Sequence, residues 1–252
     1  MIIQIIGLPG SGKTTLAVAL KEHINAIHLN ADQVRKTINS DLNFSLKDRI
    51  EHARRLGAMS KLLSDQGLNV IIDFICPTHE TRTAFGKPDI LIWMNRVTES
   101  KYEDTNKMWQ NPDFYDLVIP LEFTIEEEVN LVMTKFNLFD WKASTTLILG
   151  RWQPWHDGHS ALYKEAGKRT KQVLIGVRDT HGTNAKNPLT FEEVCKYIKK
   201  DSLVQETLIM KLPNITNIIY GRDVGYKIEQ VSLGKEIEAI SATQKRKELG
   251  IK

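Results

Sequence analysis

Residues 7 to 14 read G-L-P-G-S-G-K-T, directly after the apolar run Ile2 to Ile6 and at the head of a helix-like stretch, Thr14 to Lys21. The G-x-x-x-x-G-K-[ST] spacing has one dominant mechanical use, wrapping backbone N–H groups around the phosphates of a nucleoside triphosphate. Gly7, Gly10 and Gly12 give the chain conformations closed to residues with a Cβ, which aims successive N–H groups inward. Lys13 is expected to bridge the β- and γ-phosphates and the Thr14 hydroxyl to hold Mg²⁺, with Ser11 and Thr15 completing the nucleotide-binding loop. A helix that opens at Lys13 adds its positive dipole end to the same anion. The ligand implied is ATP or GTP.

Working outward, the first half alternates short apolar runs with longer amphipathic ones, the pattern of a parallel sheet covered by helices. Strands are expected at Ile2 to Ile6, Ala26 to Leu29, Asn69 to Phe74, Asp89 to Met94 and Leu117 to Ile119, and helices at Lys13 to His23, Leu46 to Gln66 and Ile125 to Phe136. Asp140 to Thr145 is the expected seam. It contains little Gly, Ser or Pro, which suggests two packed domains, 1–143 and 144–252, and no flexible tether.

The second half opens on the short apolar run Thr146 to Leu149, followed by G-R-W-Q-P-W-H-D-G-H from Gly150 to His159. Two phosphate signatures about 140 residues apart, each at a strand-to-helix transition, favour two domains in the 252-residue chain. Further strands are expected at Gln172 to Val177, Leu208 to Lys211 and Asn217 to Tyr220, with helices at His159 to Lys168 and Phe191 to Lys200. His156 and His159 flank Asp157-Gly158, so two imidazoles can face one triphosphate while Gly158 lets the nucleotide approach. Metal binding by the H-x-G-H pair is the competing reading, weakened by the lack of a third ligand nearby.

Composition narrows the partners. Thirty-four basic against 31 acidic residues give a net charge of only +3, without the broad cationic surface that non-specific nucleic-acid binding needs. The two cysteines, Cys76 and Cys195, lie in separate halves without C-x-x-C spacing, so neither a disulfide framework nor a zinc site is indicated and a cytoplasmic location is expected. The apolar start lacks a basic n-region and reads as a buried strand, and no apolar stretch approaches a membrane span. The expected partners are small-molecule nucleotides, with no membrane or nucleic acid; a homodimer is left open.

Two carboxylates stand at strand ends, Asp32 past the second strand and Asp73 in I-I-D-F at the third, where the ligand crevice of an open parallel sheet lies. One should bind Mg²⁺ or its water shell, beside Thr14, and one should orient or deprotonate an acceptor hydroxyl; a helix N-cap is the alternative for Asp32. In this region Asn30 to Arg35 (N-A-D-Q-V-R), Asp41 to Ser45 (D-L-N-F-S), Asp48-Arg49, Glu51, Arg54-Arg55 and Phe74 to Pro77 (F-I-C-P) follow one another. Their order and spacing resemble adenylylsulfate kinase, with its D-G-D-N-V-R, D-L-G-F-S, D-R-x-E-N-x-R-R and F-I-S-P, over about residues 1 to 95. The resemblance implies a P-loop kinase fold and transfer of the ATP γ-phosphate to the ribose 3′-hydroxyl of adenylylsulfate. It further implies that Asp32 activates that hydroxyl, Arg35 and Arg49 grip the phosphosulfate, Phe44 stacks on adenine, and Ile75 and Pro77 line its pocket. The chain departs from the pattern at Asn30 for the first Asp, His52 for the Asn after Glu, Cys76 for Ser, and Asp73 for a small or apolar residue. Thr98 to Pro112 replaces the family's Lys-rich lid.

Gly150 to His159 resembles the G-R-F-Q-P-F-H-x-G-H of the nucleotidyltransferase superfamily, nearest to nicotinamide mononucleotide adenylyltransferases. Asn187 to Glu193 (N-P-L-T-F-E-E) and Ile240 to Arg246 (I-S-A-T-Q-K-R) are similar to that group's N-P-F-T-x-x-E and I-S-x-T-x-x-R. The implied fold is a smaller Rossmann-like domain, and the implied reaction is attack on the α-phosphorus of ATP or CTP with release of pyrophosphate. Gly150, Gly158, His156, His159, Ser241, Thr243 and Arg246 would hold the triphosphate and its developing charge, with Arg151 and Lys186 as supporting cations. Tyr220 to Asp223 occupies about the place of the base-contacting element. The combined expectation is a bifunctional transferase, with three alternatives: a kinase and cytidylyltransferase pair making a surface-sugar donor, a non-catalytic nucleotide sensor, or a polynucleotide-end kinase.

Overall fold

The computed structural model describes every residue except Leu121, His181, Tyr220, Asp223, Val224, Tyr226 and Lys252, and for Glu238 the backbone only. The chain divides into two compact units, Met1–Lys142 and Ala143–Lys252.

In the first unit the elements run β1 (Ile2–Ile6), α1 (Lys13–Ile24), β2 (Ala26–Asn30), α2 (Ala31–Thr37), α3 (Leu46–Asp65) and β3 (Asn69–Phe74). Next come α4 (His79–Phe85), β4 (Ile90–Met94), α5 (Glu103–Met108), β5 (Leu117–Ile119) and α6 (Ile125–Lys135). All paired strands are parallel, in the order β2-β3-β1-β4-β5. The chain leaves β1 for one side of the sheet and later returns to its other side. The carboxyl end of β1 is therefore a topological switch point, where a ligand crevice forms in such sheets.

Nearly continuous apolar strands follow from burial on both faces. Along β1, Ile3 and Ile5 pack with Leu16, Leu20 and Val132 of α1 and α6, while Ile2 and Ile6 pack with Val34, Leu56 and Phe85 of α2, α3 and α4. The helices start where the sequence supplies caps. Ser45 accepts from the Asp48 N–H to open α3, and Thr124 with Glu127 forms a capping box at α6. Three short helices, α2, α4 and α5, were not evident from apolar periodicity, because six or seven residues span barely two turns.

The second unit contains β6 (Thr145–Gly150), α7 (Asp157–Gly167), β7 (Gln172–Arg178), α8 (Phe191–Lys199), β8 (Ile209–Leu212), α9 (Lys235–Glu238) and α10 (Ala242–Glu248). Its parallel sheet has the order β6-β7-β8. Ile148, Ile175 and Val177 pack beneath Trp152, Trp155, Val194 and Ile198. Two expectations are corrected here. No strand forms over residues 217 to 219, where Ile218 and Ile219 face solvent and pair with no strand; Tyr220 lies outside the described residues. The helix expected from His159 starts at Asp157, with His156 as its N-cap.

Among the described residues, no helix is long and apolar enough to cross a membrane. Both cysteines are free thiols, Cys76 buried and Cys195 half-buried.

Candidate active sites

The phosphate loop bends where the glycines fall. Gly7, Gly10 and Gly12 have φ values of 150°, 83° and 88°. A Cβ on Gly12 would also stand 3.1 Å from the Arg96 guanidinium. Lys13, 8% exposed, is folded back so that Nζ donates to the Leu8 carbonyl at 2.8 Å. Burial lowers its pKa to about 8 against the opposing pull of Asp73 and Asp32. Both carboxylates therefore act on the lysine that the sequence assigns to the phosphates. Ser11 is buried beneath the loop, whereas Thr14 and Thr15 open to solvent at the start of α1.

Asp73 sits at the end of β3 in register with Asn30 at the end of β2. Its carboxylate accepts from the Thr14 hydroxyl, from His28 Nε2 at 2.6 Å and from Asn30 Nδ2 at 3.1 Å to each oxygen. Burial opposes ionisation of Asp73, but the His28 and Thr14 hydrogen bonds outweigh it and hold the carboxyl below the usual range. Sequence reasoning overlooked His28, because a half-buried histidine within a strand carries no motif. The hydroxyl of Thr14 gives its proton to Asp73 and accepts a long bond from Asn30 Nδ2 at 3.4 Å, which leaves a lone pair for a cation. Hard oxygen donors, few in number and placed beside a phosphate loop, fit Mg²⁺, which retains waters and phosphate oxygens as its other ligands.

Asp32 does not cap α2. Asn30 does, its Oδ1 accepting from the Gln33 N–H at 3.0 Å, which leaves Asp32 exposed in the first turn. From there Asp32 lines an open cleft together with Arg35, Phe44, Arg49, Ile75 and Pro77. All six residues named from the sequence for the acceptor or its hydroxyl thus share one cleft. Phe44 is 62% exposed, with the Arg35 and Arg49 guanidinium carbons 5.0 and 5.6 Å from its ring centroid. Cys76, between Ile75 and Pro77, has φ of 48°, a left-handed conformation that costs a non-glycine residue on the order of 1 kcal/mol and turns the pocket wall. The buried His52 also lines the cleft and accepts from Asn39 Nδ2 at 2.8 Å; burial, reinforced by Arg35, lowers its pKa to about 4.

Arg49 departs from expectation. Sequence reading leaves it open to a substrate anion, yet its Nη2 is bonded to Asp104 at 2.8 Å and to the Thr105 hydroxyl at 3.3 Å. Its Nε donates to the Phe44 carbonyl at 2.9 Å.

In the second unit, His156 and His159 stack with ring centroids 3.6 Å apart. The turn sets both tautomers: His156 Nδ1 accepts the Gly158 N–H and His159 Nδ1 accepts the His156 N–H, each at 3.2 Å. Each ring therefore carries its proton on Nε2, as a donor. Burial lowers both pKa values, that of His159 to about 3 with His156 contributing, so both are neutral at pH 7. Trp152 and Trp155 lie 4.8 and 5.4 Å from the His159 ring and supply the apolar surroundings. A Cβ on Gly158 would meet the His156 ring at 3.1 Å.

The three separated segments picked out in this half converge. The Arg151 guanidinium donates to Asn187 Oδ1 at 3.3 Å, and that of Arg246 donates to the Gln153 carbonyl at 2.9 Å, the Lys186 carbonyl at 3.5 Å and the Thr243 hydroxyl at 3.1 Å. Ser241 caps α10 by accepting from the Gln244 N–H, and Gly150 ends β6 below the loop. Of residues 220 to 223, Tyr220 and Asp223 lie outside the described residues. Among the described residues, no group of three His, Cys, Asp or Glu side chains could hold a metal ion.

Comparison with known proteins places the likeness in the first unit. Residues 1–88 match the family model described as adenylylsulphate kinase. The adenylyl-sulfate kinase of Staphylococcus carnosus is 41% identical over 87 residues, 32% of this chain and 44% of that protein. The adenylyl-sulfate kinase of Bacteroides thetaiotaomicron is 38% identical over 100 residues, 36% of this chain and 50% of that one. The chain thus spans half or less of the length of these relatives. The solved APS kinase CysC of Mycobacterium tuberculosis, in complex with AMPPNP and APS, is 23% identical, covering 54% of this chain and 96% of that chain with a TM-score of 0.48. The first unit is a P-loop, kinase-like α/β domain whose N-terminal 88 residues are similar to adenylylsulfate kinases.

Proposed function

We propose that the first unit transfers the γ-phosphoryl group of ATP to the ribose 3′-hydroxyl of adenylylsulfate or a similar nucleotide-linked acceptor. The observation that carries this reading is the gathering of Asp32, Arg35, Phe44, Arg49, Ile75 and Pro77 around one cleft. Lys13 and the loop N–H groups hold the triphosphate. Asp32 takes the proton of the acceptor hydroxyl as its oxygen bonds to the γ-phosphorus and ADP departs. Phe44 stacks on the acceptor base, Arg35 faces its anionic linkage, and Ile75 and Pro77 bound the base pocket. Thr14 and Asp73 are the residues that would hold Mg²⁺, which when bound neutralises charge on the β- and γ-phosphates.

The identity of Asp73 supports that assignment. In the family pattern an Asp stands at position 30 and a small or apolar residue at position 73; here Asn30 and Asp73 are neighbours in register, so the carboxylate has changed strand but stays beside Thr14. The amide at position 30 donates to it, where a second carboxylate would repel it.

The second unit is assigned as a nucleotidyltransferase that uses ATP or CTP and releases pyrophosphate, the two compact units being the two functional domains. In support, two Nε2 donors sit at the start of α7, and the segments carrying Arg151, Lys186 and Arg246 meet one another. Such catalysis is positional and electrostatic and needs no covalent nucleophile.

The test is direct. Purified protein with Mg-ATP is expected to phosphorylate adenylylsulfate, Lys13→Ala to abolish this, and His159→Ala to leave it intact. A panel of triphosphates with phosphate-bearing acceptors, read by pyrophosphate release, tests the second unit, where His159→Ala should act and Lys13→Ala should not. No phosphoryl transfer to any nucleotide-linked acceptor overturns the first assignment; no pyrophosphate release from any triphosphate overturns the second.

A further inference from the structure

The segment from residue 98 to 112 lies beyond the 88 residues matched to adenylylsulphate kinases, yet it bonds to Arg49 and Pro77, two residues that line the cleft. It is closed on itself near its start and fastened to the cleft wall near its end. Asn106 closes its first turn onto Ser100, with bonds of 2.7 Å to the Ser100 hydroxyl and carbonyl, and Gln110 joins the cleft wall by donating to the Pro77 carbonyl and accepting from the His79 N–H, both at 2.8 Å. Between these anchors α5 presents Asp104 and the buried Thr105 to Arg49.

The consequence concerns charge. Arg49 is only 9% exposed; its Nε is directed to the Phe44 carbonyl and its Nη2 to Asp104 and Thr105. Of the two arginines facing the cleft, one therefore already holds a carboxylate belonging to the chain. Asp104 is itself 61% exposed, so it can be changed without leaving a cavity in the core.

We propose that Asp104 determines acceptor specificity: by pairing with Arg49 it sets the cleft for a nucleotide-linked acceptor whose linkage carries one negative charge, and disfavours a linkage carrying two. This deepens the kinase reading above and rests on it. Asp104 acts through Arg49 and has no part in the chemistry of phosphoryl transfer. A like charge at the rim of a binding site weakens an anion by roughly a factor of ten and does so less as salt rises.

The experiment measures acceptor KM and kcat, with Mg-ATP, for adenylylsulfate and for adenosine 5′-(methyl phosphate), which carries one charge fewer. It uses wild-type protein, Asp104→Asn and Asp104→Glu. Wild type is expected to show the higher kcat/KM with the methyl ester. Asp104→Asn, which keeps an acceptor for Arg49 but removes the charge, should lower KM for adenylylsulfate about tenfold, more at low ionic strength. Asp104→Glu should match wild type, and KM for ATP should stay constant in all three, which reports an intact fold. An adenylylsulfate KM that is unchanged or raised in Asp104→Asn overturns the role of Asp104 while the kinase reading stands. Failure of all three proteins to phosphorylate either probe or any other nucleotide-linked acceptor overturns both.

Discussion

Asn30 and Asp73 face each other across β2 and β3, and the amide nitrogen of Asn30 lies 3.1 Å from both oxygens of the carboxylate. Because Asn30 also caps α2 through Oδ1, one side chain ties the helix start to the residue assigned to the cation. Asp73→Asn should lower phosphoryl transfer by about 10- to 100-fold and raise the Mg²⁺ concentration needed for half-maximal rate. Asn30→Asp places two carboxylates side by side and should also impair the enzyme. The exchanged pair, Asn30→Asp with Asp73→Asn, restores one carboxylate and one amide and should recover much of the activity. A double variant worse than either single one would show that position 73 cannot be traded with position 30.

The stacked imidazoles of the second unit make a prediction about protonation. The His159 pKa is depressed to about 3, chiefly by burial, so folding excludes a proton that the unfolded chain binds near pH 6.5. Stability from this group is complete above pH 6.5 and is lost as pH falls toward 3. In NMR spectra the His159 ring should keep Nδ1 unprotonated from pH 8 down to about 4. A midpoint near 6.5 would contradict the burial and the tautomer together. His159→Ala should reduce pyrophosphate release by about 10²- to 10³-fold, as loss of a donor to developing charge does.

How far the sequence foretold this depends on the range of the forces involved. The phosphate loop, the five parallel strands and the long helices α1, α3 and α6 were legible because each follows from local pattern: glycine spacing, apolar runs and helical periodicity. The residues assigned to the acceptor were picked out by resemblance, and one cleft gathers them. Long-range pairing was not legible. Nothing in T-E-S-K-Y-E-D-T-N announces that Asp104 will reach Arg49, 55 positions earlier, since a lone Asp in a polar helix reads as a solvated face. His28 was hidden for the same reason, its partner Asp73 being 45 positions away. The expected strand failed differently over residues 217 to 219: a short β-branched run was read as a strand, yet it pairs with no strand and leaves Ile219 88% exposed.

His52 gives the first unit its own acid sensitivity. Burial and then Arg35 lower its pKa from 6.5 to about 4. The neutral ring is favoured in the fold, so its contribution is full above pH 6.5 and disappears as pH drops through 4, a change on the order of 3 kcal/mol. His52→Gln has no such proton to bind. Between pH 7 and 4, hydrogen-exchange protection of the β1 amides should fall further in wild type than in the variant by that amount. Equal losses would place the His52 titration near its unfolded value.

Phe44 separates acceptor binding from stability. Its ring is 62% exposed and holds the two arginines by their faces, so little core packing depends on it. Loss of base stacking typically costs about 1–3 kcal/mol, which corresponds to roughly 5- to 150-fold in affinity. Phe44→Ala should therefore raise the KM for adenylylsulfate within that range while the KM for ATP and the melting temperature stay close to wild type. Phe44→Tyr, which keeps the aromatic face, should restore the acceptor KM. If alanine instead lowers the melting temperature by many degrees and shifts both KM values together, the ring is a structural strut for Arg35 and Arg49, and the base of the acceptor rests elsewhere in the cleft.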